Sequence, residues 1–355
     1  MGTIVKVRKL RKRYSVTGFS GKRIDAVRDV SFRLHKGELL VLTGESGCGK
    51  TTLLKLIAGL EEADSGTIQL NEKLVTGPSQ NLVPGHPDIK LAFQDYQLFP
   101  NLTIYHNLEQ ALKGYQKGYQ AKRIKTLLRL CALENLHHKY PRELSGGEQQ
   151  RAALARAMAD EPAVLLLDEP FSNLDELTKQ PLKSALLDTL RTFGTTAILV
   201  THDSHDALTM ADRVAVMRNG KLIQLDTPQM IYQRPTTPYV ARFFGNANIL
   251  PAQQFFRLIN PNDTESAAAA DRAHLSANAE VCIRMEAIQV CAREEAILEG
   301  EVTRTRFAGA YEEVEVTVGG QLHLTLQAPI GMAKSGAVLP LKIEPGQVYC
   351  FQKRA

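Results

Sequence analysis

The chain has 355 residues, of which 44% are hydrophobic and 23% are charged, and its formal net charge is +5. A chain of this length and composition buries a core, which excludes a disordered or fibrous protein and leaves room for a second, smaller domain. Its longest apolar runs fall far short of the roughly 18 residues that a membrane-spanning helix needs, so we expect no membrane span.

The first predicted element is strongly basic. Six Lys and Arg residues lie between Lys6 and Arg13, and no apolar segment accompanies them. We therefore expect no secretory signal and a cytoplasmic protein. Without interleaved aromatic residues or a recognition helix, the cluster favours the solvated face of an edge strand over a nucleic-acid interface. The five cysteines are scattered and never spaced as CxxC, which fits a reducing compartment and no zinc site.

A phosphate-binding loop is predicted next. Residues 38–43 form an apolar strand, and residues 53–60 show the apolar spacing of a helix. The Gly-rich turn between them matches a P-loop, whose backbone N–H groups and helix N-terminus surround the phosphates of a nucleotide. Lys50 is expected on the β- and γ-phosphates of ATP and Thr51 on Mg²⁺. A turn that merely joins strand to helix is the alternative. The predicted nucleotide-binding residues are Gly44, Glu45, Ser46, Gly47, Cys48, Gly49, Lys50, Thr51 and Thr52.

A second Gly-rich segment follows a helix-rich stretch. Residues 102–136 are helix-rich, with Gly114 and Gly118 interrupting them. The segment Leu144-Ser-Gly-Gly-Glu-Gln-Gln-Arg151 then places a second anion-binding turn at the start of a helix. The chain thus has two phosphate-binding surfaces but one P-loop lysine.

This segment resembles the defining signature of the ABC transporter ATPases. The resemblance implies that the second surface serves the ATP of a partner subunit. Two copies would then form a head-to-tail homodimer that encloses two nucleotides. The residues assigned to this role are Ser145, Gly146, Gly147 and Glu148.

Two adjacent acids end a buried strand further along the chain, in Val164-Leu-Leu-Leu-Asp168-Glu169. Asp168 is suited to hold Mg²⁺ through water, and Glu169 to polarise an attacking water. Taken alone, two solvated acids at a strand end are an equally good interpretation. The P-loop and the signature favour the catalytic one.

The family resemblance implies roles for four further residues whose own signals are weak. Gln94 matches the glutamine loop, which senses Mg²⁺ and links to the permease. Asp175 matches the D-loop at the dimer seam. His202, after the apolar run 196–200, matches the switch histidine at the γ-phosphate, and Tyr14 stands where the family stacks an aromatic ring on adenine. In isolation, each is more often a cap, a turn or a packed core residue.

The tail after about residue 245 changes to short alternating segments. Residues 312–318 and 321–326 read as two strands joined by the turn signal Gly319-Gly320, which predicts a small β domain. The polar segment 260–280 contains an alanine run and is expected to be a loop or an extra helix.

The tail resembles the C-terminal oligonucleotide/oligosaccharide-type (OB-like) β domain of importer ATPases, called TOBE. The segments Thr237–Asn248, Ile283–Glu286 and Phe307–Gly309 carry the resemblance, although Met285 stands where the motif usually has proline. We therefore expect an ABC ATPase domain over 1–245, with a helical insertion at about 95–160, and a TOBE-like domain over 246–355. A regulatory ligand in this domain and a purely dimer-stabilising role both remain open.

The expected fold is an α/β P-loop ATPase core with a small C-terminal β domain. The expected function is the ATP-hydrolysing subunit of an importer at the cytoplasmic face of the plasma membrane, bound to a separate permease and served by an extracytoplasmic solute-binding protein. The cargo is not predicted. A soluble ABC ATPase acting on ribosomes or nucleic acid is the alternative, but one P-loop and no sustained heptads argue against it. A regulatory protein without turnover would need a damaged catalytic set, whereas Glu169 and His202 are present.

Overall fold

The computed structural model describes residues 2–15, 23–81, 83–92, 98–172, 176–259, 279–344 and 347–351. The chain divides into two compact units, Met1–Pro228 and Gln229–Ala355. The domain boundary expected from the sequence, between residues 245 and 246, lies inside the second unit and stays a prediction. Among the described residues, no helix is both long and apolar enough to cross a membrane.

The first unit contains two sheets and a set of helices. Its strands are β1 (Thr3–Ser15), β2 (Arg23–His35), β3 (Leu39–Thr43), β4 (Ser65–Leu70), β5 (Lys73–Leu74), β6 (Ile89–Ala92), β7 (Val164–Asp168), β8 (Thr196–Val200), β9 (Arg213–Arg218) and β10 (Lys221–Asp226). Its helices are α1 (Lys50–Ile57), α2 (Ile104–Ala111), α3 (Lys117–Leu130), α4 (Gly146–Ala157), α5 (Glu176–Phe193) and α6 (Ser204–Met210).

A six-stranded sheet forms the centre of the first unit, in the strand order β10-β9-β3-β8-β7-β6. The strands from β9 to β6 run parallel, and β10 is antiparallel to β9. β3, β7 and β8 are buried over almost their whole length. Strands buried on both faces have continuous apolar runs, and this explains their sequences. The predicted α/β class and these three strands are confirmed.

A four-stranded antiparallel sheet, ordered β2-β1-β4-β5, shares a core with the central sheet. One hydrophobic cluster contains Val5 and Val7 of β1, Leu53 and Ile57 of α1, and Leu166 of β7. Burial of each such aliphatic side chain stabilises the fold by about 1.5–3 kcal/mol. The helix that begins at Lys50 is therefore anchored in the core that both sheets share.

The basic segment Lys6–Arg13 lies in β1, which pairs with β2 on one side and with β4 on the other. The prediction of an edge strand is wrong, because strand neighbours are set by contacts distant in sequence that a local charge pattern does not encode. The predicted solvated face is confirmed. On it, Arg11 pairs with Asp29 and Arg13 with Asp25, each at 2.5 Å.

The chain between β6 and β7 forms α2, α3 and α4, which confirms the helix-rich pattern. Gly114 separates α2 from α3 at φ +103°, a conformation that favours glycine. Gly118 instead lies in the first turn of α3 and does not interrupt it, contrary to the prediction. Asn107 is completely buried, and its amide donates to three backbone carbonyls in residues 99–103. These bonds fold that segment onto α2.

The second unit is mainly antiparallel β structure. Its strands are β11 (Ala247–Pro251), β12 (Glu280–Arg284), β13 (Ile288–Val290), β14 (Leu298–Phe307), β15 (Glu312–Val318), β16 (Leu322–Ala328), β17 (Val338–Ile343) and β18 (Val348–Phe351). Its helices are α7 (Pro228–Gln233), which begins at the boundary, α8 (Pro238–Phe243) and α9 (Ala252–Ile259). The sheets have the orders β11-β12-β18 and β13-β17-β14-β15-β16.

The predicted hairpin in this unit is confirmed. β15 and β16 pair antiparallel from Glu312↔Ala328 to Val318↔Leu322. Gly319 and Gly320 connect them with φ values of +57° and +70°, a pair of left-handed residues whose twist matches the strands of a hairpin. The prediction for the alanine-containing segment 260–280 lies outside the described residues over 260–278, and Glu280 begins β12.

A buried arginine holds the segment that leads into the β strands of the second unit. The Arg284 guanidinium donates to the carbonyl oxygens of Tyr232 at 2.9 Å, Ala241 at 2.8 Å and Gly245 at 3.4 Å. It also lies 4.0 Å from the centre of the Tyr232 ring. The Tyr232 hydroxyl donates to Glu286 at 2.6 Å, and burial together with this bond raises the pKa of Tyr232 to about 12. The motif Ile283–Glu286 thus ties α7 and α8 to β12.

Replacing Arg284 with methionine is expected to lower the free energy of unfolding of the second unit by about 2–4 kcal/mol, because the buried carbonyl of Ala241 and the part-buried hydrogen bonds to Tyr232 and Gly245 lose their donor. Lysine should restore only part of this loss, since it lacks the planar fork. Urea titration of the full chain measures the effect. The control is Arg306→Met, which breaks an exposed ion pair and should change stability by less than about 1 kcal/mol. A wild-type unfolding midpoint for Arg284→Met would contradict the assignment.

Candidate functional site

The Gly-rich turn after β3 adopts a backbone that requires glycine at two positions. Gly44 has φ +146° and Gly49 has φ +102°. A Cβ atom would lie 2.1 Å from the Met217 carbonyl oxygen at Gly44, and 2.0 Å from the Ala26 carbonyl oxygen at Gly49. The turn therefore lies directly on neighbouring backbone and leads into α1. This arrangement is that of an anion-binding loop at a helix N-terminus.

Lys50 is buried at the centre of this turn, with 5% of its surface exposed. Its ammonium donates to the carbonyl oxygens of Gly44 at 2.8 Å and Glu45 at 3.0 Å, and lies 3.8 Å from the Cys48 sulfur. Burial raises the pKa of the Cys48 thiol, so the thiol stays protonated at neutral pH. Glu45, Ser46 and Gly47, by contrast, are exposed. The ammonium can exchange its carbonyl partners for phosphate oxygens, which are stronger acceptors.

Thr51 and Asp168 meet where α1 begins and β7 ends. The Thr51 hydroxyl donates to the Asp168 carboxylate. Burial raises the pKa of Asp168 above its usual value, and the nearby charge of Glu169 adds to this. Among the described residues, no three His, Cys, Asp or Glu side chains converge as metal ligands. A hydroxyl beside one carboxylate fits Mg²⁺, which takes one or two protein oxygens together with substrate phosphates.

Glu169 and His202 come together because they follow the neighbouring parallel strands β7 and β8. Glu169 has φ +48°, a strained backbone of the kind found at active sites, and its N–H donates to the Val200 carbonyl oxygen at 3.0 Å. His202 Nδ1 lies 3.3 Å from Glu169 Oε2. The imidazole is 58% exposed and the carboxylate 28% exposed. The two side chains therefore face solvent that a substrate can replace.

Tyr14 lies at the end of β1, close to α1. Its hydroxyl donates to the Glu61 carboxylate and also hydrogen-bonds with Thr52. Burial raises the pKa of Tyr14 to about 12, and the bond to Glu61 contributes. The ring stays neutral and lies beside the helix that follows the P-loop. Glu61 escaped the sequence prediction, because nothing local links it to a tyrosine 47 positions away.

The second Gly-rich segment forms the start of α4. Ser145 is its N-cap, and the Ser145 side chain accepts from the Glu148 N–H while the Glu148 carboxylate accepts from the Ser145 N–H at 2.7 Å. This second bond lowers the pKa of Glu148. Gly146 is exposed and Gly147 is buried. In the described part of the chain, the hydrogen bonds of Ser145 and Glu148 lie within this capping box and α4 rather than at the P-loop.

The predicted site residues thus fall into two groups. The first group assembles at the carboxyl ends of β3, β7 and β8 and comprises Lys50, Thr51, Asp168, Glu169 and His202. Tyr14 and Thr52 lie nearby. The α4 start forms a separate surface. Gln94 and Asp175 lie outside the described residues, and their roles stay predictions.

Comparison with known proteins gives concordant similarities. Residues 27–172 match the family described as ABC transporter. The spermidine/putrescine import ATP-binding protein PotA of Clostridioides difficile is 36% identical over 356 residues, which cover 99% of this chain and 98% of PotA. The Fe(3+) ions import ATP-binding protein FbpC 2 of Haemophilus influenzae is 36% identical over 303 residues, which cover 83% of this chain and 84% of FbpC 2. A solved dimeric structure of the ATP-binding cassette MJ0796, in a post-hydrolysis state bound to ADP and Pi, matches with a TM-score of 0.54 at 28% identity, covering 63% of this chain and 99% of that chain.

Proposed function

The chain belongs to the ATP-binding subunits of ABC transporters that serve import systems, and on this premise we propose that it hydrolyses ATP as a homodimer to drive solute uptake through a separate permease. The observation that carries the proposal is the assembly of Lys50, the Thr51–Asp168 pair and the Glu169–His202 pair at one edge of the central sheet. These groups supply a phosphate cradle, a cation site and a base beside one another.

In the proposed reaction, water attacks the γ-phosphate in line and releases ADP. The Lys50 ammonium leaves its loop carbonyls and binds the β- and γ-phosphates, where it offsets developing charge. Glu169 accepts a proton from the attacking water, and His202 orients the γ-phosphate. Thr51, Asp168 and Gln94 would hold Mg²⁺, which would supply positive charge to the phosphates. Tyr14 supports the adenine ring.

A second copy supplies the other half of each site in this proposal. The α4 N-terminus carries the partial positive charge of a helix start and exposed backbone at Gly146, which suits a γ-phosphate. The hydrogen bonds of Ser145 and Glu148 do not involve the P-loop of the same chain, which supports a role toward the nucleotide bound by the partner copy. Asp175 would lie at the interface between the two copies. ATP would then hold the dimer closed, and hydrolysis would release it.

The proposed partners are integral-membrane permease subunits and an extracytoplasmic solute-binding protein, with the chain at the cytoplasmic face of the plasma membrane. The ATPase domain would extend over 1–245 and the TOBE-like domain over 246–355. The cargo stays open, because a relative named for polyamine import and one named for ferric-ion import are each 36% identical to this chain. Arg11 and Arg13 are each paired with a carboxylate, which argues against the alternative function on ribosomes or nucleic acid. The proposal therefore includes no nucleic-acid ligand.

Affinity capture of the membrane proteins that bind the ATP-bound chain tests the proposal. Tagged Glu169→Gln protein is mixed with Mg-ATP and detergent-solubilised native membranes, and the bound proteins are identified by mass spectrometry. The Lys50→Ala protein, treated in parallel, controls for ATP-independent binding. We expect a polytopic permease that only the ATP-bound protein retains. Recovery of ribosomal or DNA-associated proteins instead would overturn the import role while leaving the ATPase chemistry in place.

A further inference from the structure

A buried ion pair joins α5 to α6. Lys183 Nζ lies 2.5 Å from Asp206 Oδ1, and the two side chains are 7% and 2% exposed. Within the described residues, Oδ1 has no hydrogen-bond partner other than this ammonium, and the charge of Lys179 also acts on the carboxylate. Removing two charges from water is expensive, and apolar residues of similar volume often stabilise a protein equally well. Stability alone therefore does not explain the pair.

The pair connects the chain segment that carries His202 with the vicinity of the segment that carries Glu169. The Lys183 ammonium is 5.9 Å from the ring centre of Phe171, which is buried and follows Glu169 by two residues. Asp206 belongs to α6, which begins directly after the segment that contains His202. The ammonium therefore contacts both segments beyond the ends of β7 and β8.

The segment from His202 to Asp206 is tied together as one turn. The Asp203 carboxylate accepts from the N–H groups of His205 at 2.8 Å and Asp206 at 3.3 Å. The Asp203 N–H donates to the Thr201 hydroxyl at 3.0 Å. These bonds link Asp206 to Asp203 and Thr201, the two residues that flank His202.

Within the described residues, which omit 173–175, two contacts between the segments lie at the ends of the strands. The β7–β8 ladder ends with the bond from the Glu169 N–H to the Val200 carbonyl oxygen. The next link is the contact between His202 and Glu169, and it is exposed to solvent. Exposed pairs contribute little to rigidity or stability. The buried pair is thus placed to fix what the exposed contact leaves free.

We propose that Lys183 and Asp206 are positioning residues that set the separation of Glu169 from His202 and thereby the rate of ATP hydrolysis, without touching the nucleotide. The inference rests on the proposed function. Misplacement of reacting groups by about 1 Å lowers rates by roughly 100-fold. Loss of the pair should therefore lower kcat, while KM for ATP, which depends on the P-loop, stays unchanged.

The test compares steady-state ATPase kinetics and thermal unfolding of full-length variants. Single removal of Lys183 leaves a buried charge unpaired and destabilises the fold, so the informative variant is the double change Lys183→Met with Asp206→Leu. We expect a wild-type or higher Tm, an unchanged KM and a kcat lowered by about tenfold to 100-fold. Lys183→Arg keeps the charge pair and should retain kcat. The control, Lys342→Met with Glu295→Leu, removes an exposed ion pair in the second unit and should leave all three values unchanged.

A second variant covers the case in which the double change does not fold. Lys183→Gln with Asp206→Asn removes both charges but keeps two polar side chains of similar shape that can still hydrogen-bond, and it should lower kcat with KM unchanged. Wild-type kcat in either folded variant, or a rise in KM that accounts for the whole loss in kcat/KM, would overturn the positioning role. Absence of ATP hydrolysis by the wild-type chain would instead overturn the proposed function, so the two failures are distinguishable.

Discussion

Replacing Glu169 with glutamine is expected to lower kcat for ATP hydrolysis by about 100-fold to 10,000-fold while Mg-ATP binding remains. Glutamine has nearly the same shape but does not accept the proton of the attacking water. The carboxylate lies 3.3 Å from His202 and is partly exposed, which fits a base that meets substrate and solvent. Phosphate release and equilibrium binding of a fluorescent ATP analogue measure the two properties separately.

The same variant should form a dimer that depends on Mg-ATP, because hydrolysis no longer releases the closed state. Light scattering after size-exclusion chromatography, with and without nucleotide, measures this. Glu72→Gln is the matched control, since Glu72 is exposed in the turn between β4 and β5, and it should hydrolyse ATP at the wild-type rate. A Glu169→Gln protein that stays monomeric at saturating Mg-ATP would count against the shared site.

The local geometry of the site is predictable because single short segments encode it. Glycine is required at positions 44 and 49 because a Cβ atom there would clash with a neighbouring backbone carbonyl, so the spacing of the glycines indicates the geometry of the loop. The buried strands β7 and β8 likewise appear as continuous apolar runs. Since both are parallel and adjacent, the residues that follow them meet at the same edge.

Features that depend on tertiary pairing were not predictable. The sequence predicts β1 at a sheet edge, yet β1 pairs on both sides. Its second neighbour is β4, which lies far from β1 in the sequence. The same reason hides the partner of Tyr14 and the pair formed by Lys183 and Asp206. Each joins side chains that only the folded core brings together, and no local spacing marks them.

Glu148 belongs both to the signature segment and to a helix capping box. It was assigned to nucleotide binding as part of the signature, but its position three residues after Ser145 is also that of a capping box. Its carboxylate bonds the Ser145 N–H and keeps its charge, since that bond lowers its pKa. A contact between Glu148 and nucleotide therefore stays a prediction, and its structural part is to fix the start of α4.

Replacing Lys50 with alanine is expected to weaken Mg-ATP binding by about 100-fold or more, because charge-assisted bonds to phosphate are lost in a buried setting. The structure adds a second reason. The ammonium also holds the carbonyl oxygens of Gly44 and Glu45, so its removal leaves the loop without an internal support. Binding should fall together with a small decrease in the Tm of the nucleotide-free protein.

Lys50→Arg separates these two contributions. Arginine keeps the charge but is too large and planar for the space occupied by a buried point-charge ammonium, so affinity for Mg-ATP should remain low. The control is Lys73→Ala, at an exposed position of β5, which should bind as the wild type does. Calorimetric titration with Mg-ATP measures both. If Lys50→Ala bound Mg-ATP with wild-type affinity, the nucleotide would have to bind elsewhere. The roles proposed for Lys50, Thr51, Asp168 and Glu169 would then be wrong.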